Sequence, residues 1–182
     1  MSVVAANRSE SSSFTDYFDF FNLPRQFQID RSVLDRAYLT IQQEVHPDKF
    51  VNQDDQQKRR SLQMTTYANT AYQTLKQPVP RGFYLCQLAG LDPQLETNTA
   101  MPKAFLIQQM EWREELDDAK SDLSKLEALQ QEVQVIQKEW QLQIEKAFDE
   151  ALAPEKALEK LRCALFLERF LEELDHRLSA LI

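Results

Sequence analysis

Apolar side chains along this chain recur every third or fourth residue, and no stretch shows sustained alternation. The first long stripe is Val33, Leu34, Ala37, Tyr38, Ile41 and Val45, which predicts an amphipathic helix with those residues buried. Asp30 is placed to cap it, and Ile29 has hydrophobic-staple spacing to Leu34. The helix must stop near His46, because Pro47 has no backbone N–H and disfavours a helical residue before it. A second helix is predicted from about Asp54 to Gln77, with Leu62, Ala68, Ala71, Tyr72 and Leu75 facing inward. Ahead of the pair, Phe14 to Pro24 holds five aromatics, and Thr15 or Asp16 can cap a short helix there with Tyr17, Phe18 and Phe21 on its apolar side.

Pro78 and Pro80 end the second long helix, and Arg81 to Gly90 reads as a further short one. A polar stretch with Pro93 and Pro102 at its edges, residues 91–101, is the expected linker. Beyond it, three more helices are predicted. The first carries Phe105, Leu106, Ile107, Met110, Trp112, Leu116 and Ala119. The second is capped by Ser121, and its stripe steps from Leu123 through Leu126, Leu129, Val133, Ile136, Trp140 and Ile144 to Phe148. The third opens at Pro154, its stripe running from Leu158 to Leu178. Short connections make antiparallel neighbours of them, hence a three-helix bundle.

The fold class read from this pattern is all-α, divided into a leader over 1–13, a helical hairpin with short helices over 14–90, a linker over 91–101, and the bundle over 102–182. Composition agrees with it. Two glycines in 182 residues argue against an all-β fold and against a Gly-rich phosphate loop. The net charge of −8 is uneven. Residues 14–90 hold nine Lys and Arg against eight Asp and Glu, whereas residues 91–182 hold eleven against twenty. An acidic second half disfavours a nucleic-acid partner. No apolar run reaches the ~18 residues of a membrane span. The Ser-rich residues 1–13 lack an apolar signal core and are expected to be disordered. Cys86 and Cys163 are far apart in sequence and form no Cys-x-x-Cys pair, so buried thiols in a reducing compartment are expected.

Two places depart from simple packing. One is the bend Val45-His46-Pro47-Asp48-Lys49-Phe50, where a ring, a fixed turn and a carboxylate sit between two amphipathic helices. That arrangement suits recognition by another protein. An enzymatic or metal-binding use of His46 and Asp48 lacks a nucleophile or third ligand, so neither catalytic residues nor a metal or cofactor site is expected. Lys58-Arg59-Arg60 reads as a solvated face. The other place is the first bundle helix. Leu106, Ile107 and Met110 cannot share one face with Phe105, Trp112 and Leu116, so some apolar side chains should be exposed beside Glu111 and Glu114. Such a patch, apolar with a charged rim, is what a partner site looks like, although packing under another segment would also explain it.

His-Pro-Asp between two helices resembles the J-domain signature, and His46 to Phe50 resembles its extended His-Pro-Asp-Lys-Phe form. Ala104 to Asp117, Ala-Phe-Leu-x-x-x-x-Glu-x-Arg-Glu-Glu-Leu-Asp, resembles the signature helix of the HscB family, the J-proteins of iron–sulfur cluster assembly. Leu165 to Phe170 resembles a stretch of their last helix. The resemblance runs from about Phe14 to the C-terminus. It implies a J-domain that binds a DnaK/HscA-type chaperone and stimulates its ATP hydrolysis. His46, Pro47, Asp48 and Lys49 would carry that contact, with Arg31 and Arg36 on the preceding helix. That helix is less basic than the family pattern, since Asp35 and Glu44 oppose the two arginines. Steering of the chaperone should therefore be modest. The bundle would bind the iron–sulfur scaffold protein through Leu106, Ile107, Met110, Glu111, Glu114 and Phe166. The Cys-x-x-Cys metal module of animal relatives has no counterpart here. A general protein-folding J-protein would usually add a Gly/Phe-rich segment and zinc repeats, and a helical adaptor would leave the bend unexplained. A monomeric protein of the bacterial cytoplasm is expected, with the mitochondrial matrix a weaker alternative.

Overall fold

The structure is a computed structural model that describes residues 14–51, 53–93 and 101–181, with Pro47 described by its backbone only. The leader over 1–13 and most of the expected linker lie outside the described residues. Among the described residues every regular element is helical. They fall into two compact units, one ending at Gln77 and the other beginning at Pro78.

In the first unit, Asp16 caps the one-turn helix α1 (Tyr17–Phe20), accepting from the Asp19 N–H at 2.9 Å. The chain turns off α1 at Asn22, whose φ of 55° is a left-handed conformation that Asn tolerates. Phe18, Phe20 and Phe21 are all buried and Tyr17 only partly, so Phe20 joins the aromatic core that the periodicity gave to Tyr17. Phe20 and Tyr17 both stand edge-on to Tyr67 of the hairpin, with ring centroids 4.9 and 5.3 Å away.

The hairpin is α2 (Arg31–Val45), a 3₁₀ turn (Pro47–Phe50) and α3 (Asp55–Lys76). Asp30 caps α2 by accepting from the N–H groups of Ser32 and Val33, and Asp54 caps α3 by accepting from Gln57. Leu34 and Ile41 of α2 meet Ala68, Ala71 and Leu75 of α3 in a narrow core. Two expected core positions point outward. Val33 is exposed because Leu34, one position on, takes the buried line. Leu62 is exposed because its neighbour Ser61 is the inward residue, bonded to the end of α2. About 100° per residue separates adjacent side chains, so only one of each pair can face in.

The second unit begins with α4 (Pro78–Leu88): α3 ends before Pro78 as expected, and the prolines also open the next helix, three residues earlier than the expected start at Arg81. The sequence put the boundary at 91–101, but α4 packs on α7. Its buried face, with Val79, Phe83, Leu85 and Cys86, needs that partner. Gly82 permits the approach, because a Cβ there would run into the Leu161 side chain. The bundle follows as α5 (Lys103–Ala119), α6 (Leu123–Glu145) and α7 (Pro154–Ser179). Asp122, not Ser121, caps α6, since its carboxylate reaches the Lys125 N–H at 3.3 Å. Leu123 is then left exposed in the first turn. Trp112, Leu116, Leu126, Val133, Leu167, Phe170 and Leu174 form the bundle core. Trp112 lies roughly parallel to Phe170 at 6.0 Å and satisfies its indole N–H on Glu132 Oε1 at 2.9 Å.

Candidate functional site

Two surfaces are built from the residues singled out by sequence, one in each unit. The first is the tip of the hairpin. Where α2 ends, three backbone groups change partner. In a continuing helix the Asp48 and Lys49 N–H groups would bond back to Glu44 and Val45. Here the Asp48 N–H donates to His46 Nδ1 at 3.3 Å, and the Lys49 N–H donates to the His46 carbonyl at 3.0 Å. The released Val45 carbonyl accepts from Ser61 Oγ at 2.6 Å and Thr65 Oγ1 at 3.2 Å, both on α3. His46 has φ −57° and ψ 129°, the extended geometry that a following proline favours.

This network leaves a carboxylate on display. The Asp48 side chain is 86% exposed and that of His46 51%. Asp48 Oδ2 lies 3.5 Å from His46 Nδ1. Among the described residues, no Lys or Arg side chain forms an ion pair with Asp48, whose carboxylate faces solvent at the tip. Lys49 beside it is exposed, as are Lys58, Arg59 and Arg60 on the first turns of α3.

The outer surface of α2 is only weakly cationic. Arg31 Nε donates to Asp35 Oδ1 at 2.6 Å, and its other nitrogens reach Tyr72 Oη and the Lys76 carbonyl, each at 3.2 Å. Tyr72 in turn donates to Asp35 at 3.0 Å and stacks on Tyr38 with centroids 4.1 Å apart. The Asp35 contact holds the Arg31 guanidinium's pKa above its ordinary value, and the Arg31 contact holds the Asp35 carboxyl below its own. Arg31 thus ties the start of α2 to the end of α3. Arg36 is exposed, with a 3.4 Å contact to Ser32 Oγ and its charge felt by Asp30.

The second surface is the outer face of α5. Leu106, Ile107 and Met110 are 44%, 48% and 64% exposed, while Phe105, Trp112 and Leu116 are buried. Glu111 and Glu114 are exposed beside them. Phe166 of α7 is different in kind. It is half-buried against the bundle core, edge-on to Phe105 at 5.7 Å and parallel to Phe170 at 5.9 Å, with the Arg113 guanidinium 5.8 Å from its ring centre. Arg113 is itself fixed by an ion pair with Glu173.

Among the described residues, no group of three or more His, Cys, Asp or Glu is placed to hold a metal ion. Both cysteines are buried, and desolvation pushes each thiol up to about 11, far from the reactive thiolate range. His176 is exposed in the last turn of α7. No helix of the described residues is long and apolar enough to cross a membrane.

Comparison with known proteins places the chain. Residues 101–175 match the family model of the HSCB C-terminal oligomerisation domain. A co-chaperone protein HscB homolog from Azoarcus sp. strain BH72 is 40% identical over 91% of this chain and 95% of that protein. The chain belongs to the HscB co-chaperone family. A second HscB homolog, from Paraburkholderia xenovorans strain LB400, is 42% identical over the same shares of the two chains. Among solved structures, chaperone HscB from Vibrio cholerae superposes with a TM-score of 0.82 at 28% identity, covering 92% of this chain and 99% of that one. The human co-chaperone protein HscB gives 0.83 at 32% identity, over 89% and 81%. The all-α fold is that of HscB, with its N-terminal J-domain and C-terminal helical domain.

The sequence reading singled out His46, Asp48 and Lys49 at the tip and Leu106, Ile107 and Met110 on α5, and all six are exposed. It missed Ser61 and Thr65, which hold the base of the tip. A signal was present, since two hydroxyls four residues apart lie on the inward line of α3. The reading also offered Arg31 as a partner-facing cation, whereas here its hydrogen bonds run to α3 and to Asp35.

Proposed function

We propose that this HscB-family protein binds a DnaK/HscA-type heat-shock chaperone through the hairpin tip and stimulates its ATPase. On this reading it also delivers the iron–sulfur cluster scaffold protein, held on the outer face of α5, for cluster maturation and transfer. Asp48 offers its carboxylate to a basic side chain of the chaperone, preferably a bidentate arginine. His46 and Pro47 set the approach, with Lys49 and Arg36 at the margin and Arg31 acting mainly through the hairpin. The chaperone performs the chemistry. The tip acts by preferring its hydrolysis-competent conformation and so shifting that equilibrium. Scaffold bound through Leu106, Ile107, Met110, Glu111 and Glu114, with Phe166 alongside, is thereby raised in effective concentration at the chaperone. The protein works as a monomer in the bacterial cytoplasm and needs no cofactor of its own.

The observation that carries the proposal is the exposed, outward-pointing carboxylate of Asp48 on a tip shaped by short-range hydrogen bonds. Asp48→Asn keeps the shape and removes the charge. In a steady-state assay with a DnaK/HscA-type chaperone, this variant is expected to give no stimulation, while its affinity for the scaffold stays at the wild-type value. Stimulation equal to wild type would remove the tip from the mechanism.

A further inference from the structure

We infer that Ser61 and Thr65 are positioning residues for the recognition tip, acting together on the Val45 carbonyl; this rests on the function proposed for Asp48. The last carbonyls of a helix have no intrahelical donor, and Pro47 prevents the chain from supplying one by continuing as a helix. The Lys49 N–H, the helical partner of the Val45 carbonyl, is committed to His46 instead. Two hydroxyls from α3 replace it, at 2.6 and 3.2 Å, and between them they occupy both lone pairs of that oxygen. Ser61 is buried, at 4% exposure, so water is a poor substitute at this point.

The consequence for the tip follows from peptide geometry. The Val45 carbonyl and the His46 nitrogen belong to one planar unit. Fixing the oxygen fixes the plane, and with it the direction in which the chain enters His46. His46 then passes that orientation to Asp48 through the 3.3 Å bond from the Asp48 N–H. The side chains of the next residues, Asp48 and Lys49, are exposed, and their N–H groups both bond to His46. The two hydroxyls therefore set where the carboxylate points without touching the partner.

The test compares two double variants. Ser61→Ala with Thr65→Val removes both hydroxyls and keeps the volume at residue 65. Ser61→Ala with Thr65→Ser restores one donor. The first is expected to lose roughly thirtyfold of the maximal ATPase stimulation at saturating protein, the factor that about 2 kcal/mol for two lost hydrogen bonds converts to. The second should recover most of it. Amide exchange should quicken at Asp48 and Lys49 in the first variant, while the cores of α2 and α3 keep their protection. A general loss of stability would raise exchange throughout the hairpin instead, and with a proportional fall in both double variants it would overturn the inference. So would wild-type stimulation by the hydroxyl-free variant in an assay where Asp48→Asn is silent. If Asp48→Asn itself stimulates normally, the proposed function fails first, and the exchange data still decide whether the hydroxyls hold the tip.

Discussion

The tip of the hairpin and the outer face of α5 are both exposed, but opposite physics puts them there. At the tip, a proline and a short-range exchange of backbone partners hold a charged side chain out in water. Apart from those of the two α3 hydroxyls, the hydrogen bonds described there join residues within the turn itself. On α5, apolar side chains are exposed because the buried line of the helix is already occupied by Phe105, Trp112 and Leu116. That face exists only because α6 and α7 cover one side of α5 and leave the other open. The first is a local device whose energy lies in hydrogen bonds and one charge. The second is a packing remainder whose energy lies in apolar area still facing water, about 25 cal/mol for each Å² that a partner covers. Mutations should therefore separate the two cleanly.

The largest effect belongs to the tip. Asp48→Asn, silent in ATPase stimulation, should unfold at the wild-type temperature, because the side chain makes no fold-stabilising contact beyond the 3.5 Å approach to His46. A fall in Tm of several degrees would mean that Asp48 helps to hold the turn rather than only displaying its charge. Next comes Phe166, which belongs partly to the core. Phe166→Ala should cost about 2 kcal/mol of unfolding free energy, less than a fully buried ring would, and should weaken scaffold binding as well. Denaturant titration and a binding isotherm on the same sample would show both. Leu106→Ala and Met110→Ala should weaken scaffold binding by about 1 kcal/mol each if they are central to the contact. Their stability should be unchanged, since both side chains are largely in solvent. Unaltered affinity in the double variant would leave the α5 face without the role proposed for it.

The same contrast explains what could be read from sequence. The tip was legible because its causes are local: Pro47 must stop α2, and Asp48 then has nowhere to fold in. The cap at Asp30 was legible for the same reason, and Asp16 was one of two candidates for the cap of α1. The split face of α5 could be read as a surplus of apolar residues over one helical stripe. Its exposure could not, because that depends on how far α6 and α7 wrap around the helix. Leu62 shows the limit from the other side. Period alone gave it to the core, but the end of α2 needed a hydroxyl donor, and Ser61 took the inward position. Long-range demands of this kind, from a carbonyl sixteen residues away, leave no mark in hydropathy. Nor did the polar run 91–101 reveal that α4 would pack on α7, since the partner surface lies some seventy residues further on.

The smallest expected effects concern pH, and they have opposite signs in the two units. In the first unit, Asp30 and Asp35 have carboxyls held below their ordinary value of 3.8. For Asp30 the leading cause is the Ser32 hydroxyl, and for Asp35 it is the Arg31 guanidinium. A depressed folded-state value means stability that is present above the unfolded value and is lost as pH falls through the folded one. In the second unit, Glu168 and Glu115 are pushed above their ordinary value of 4.5. Desolvation leads in both, with Glu172 adding to the first and Glu132 and Glu111 to the second. A raised value contributes stability below the unfolded value, and that contribution is lost as pH rises through the folded one. Glu168→Gln, which stays neutral, should therefore raise the Tm at pH 7 and make little difference near pH 4. Asp35→Asn should lower the Tm at pH 7, and its deficit should shrink as the wild type is acidified through the folded value. Thermal melts of the two variants and the wild type across that range would settle the signs. If Glu168→Gln lowered the Tm at neutral pH, the half-buried carboxylate on α7 would have to be making a favourable contact that outweighs its desolvation.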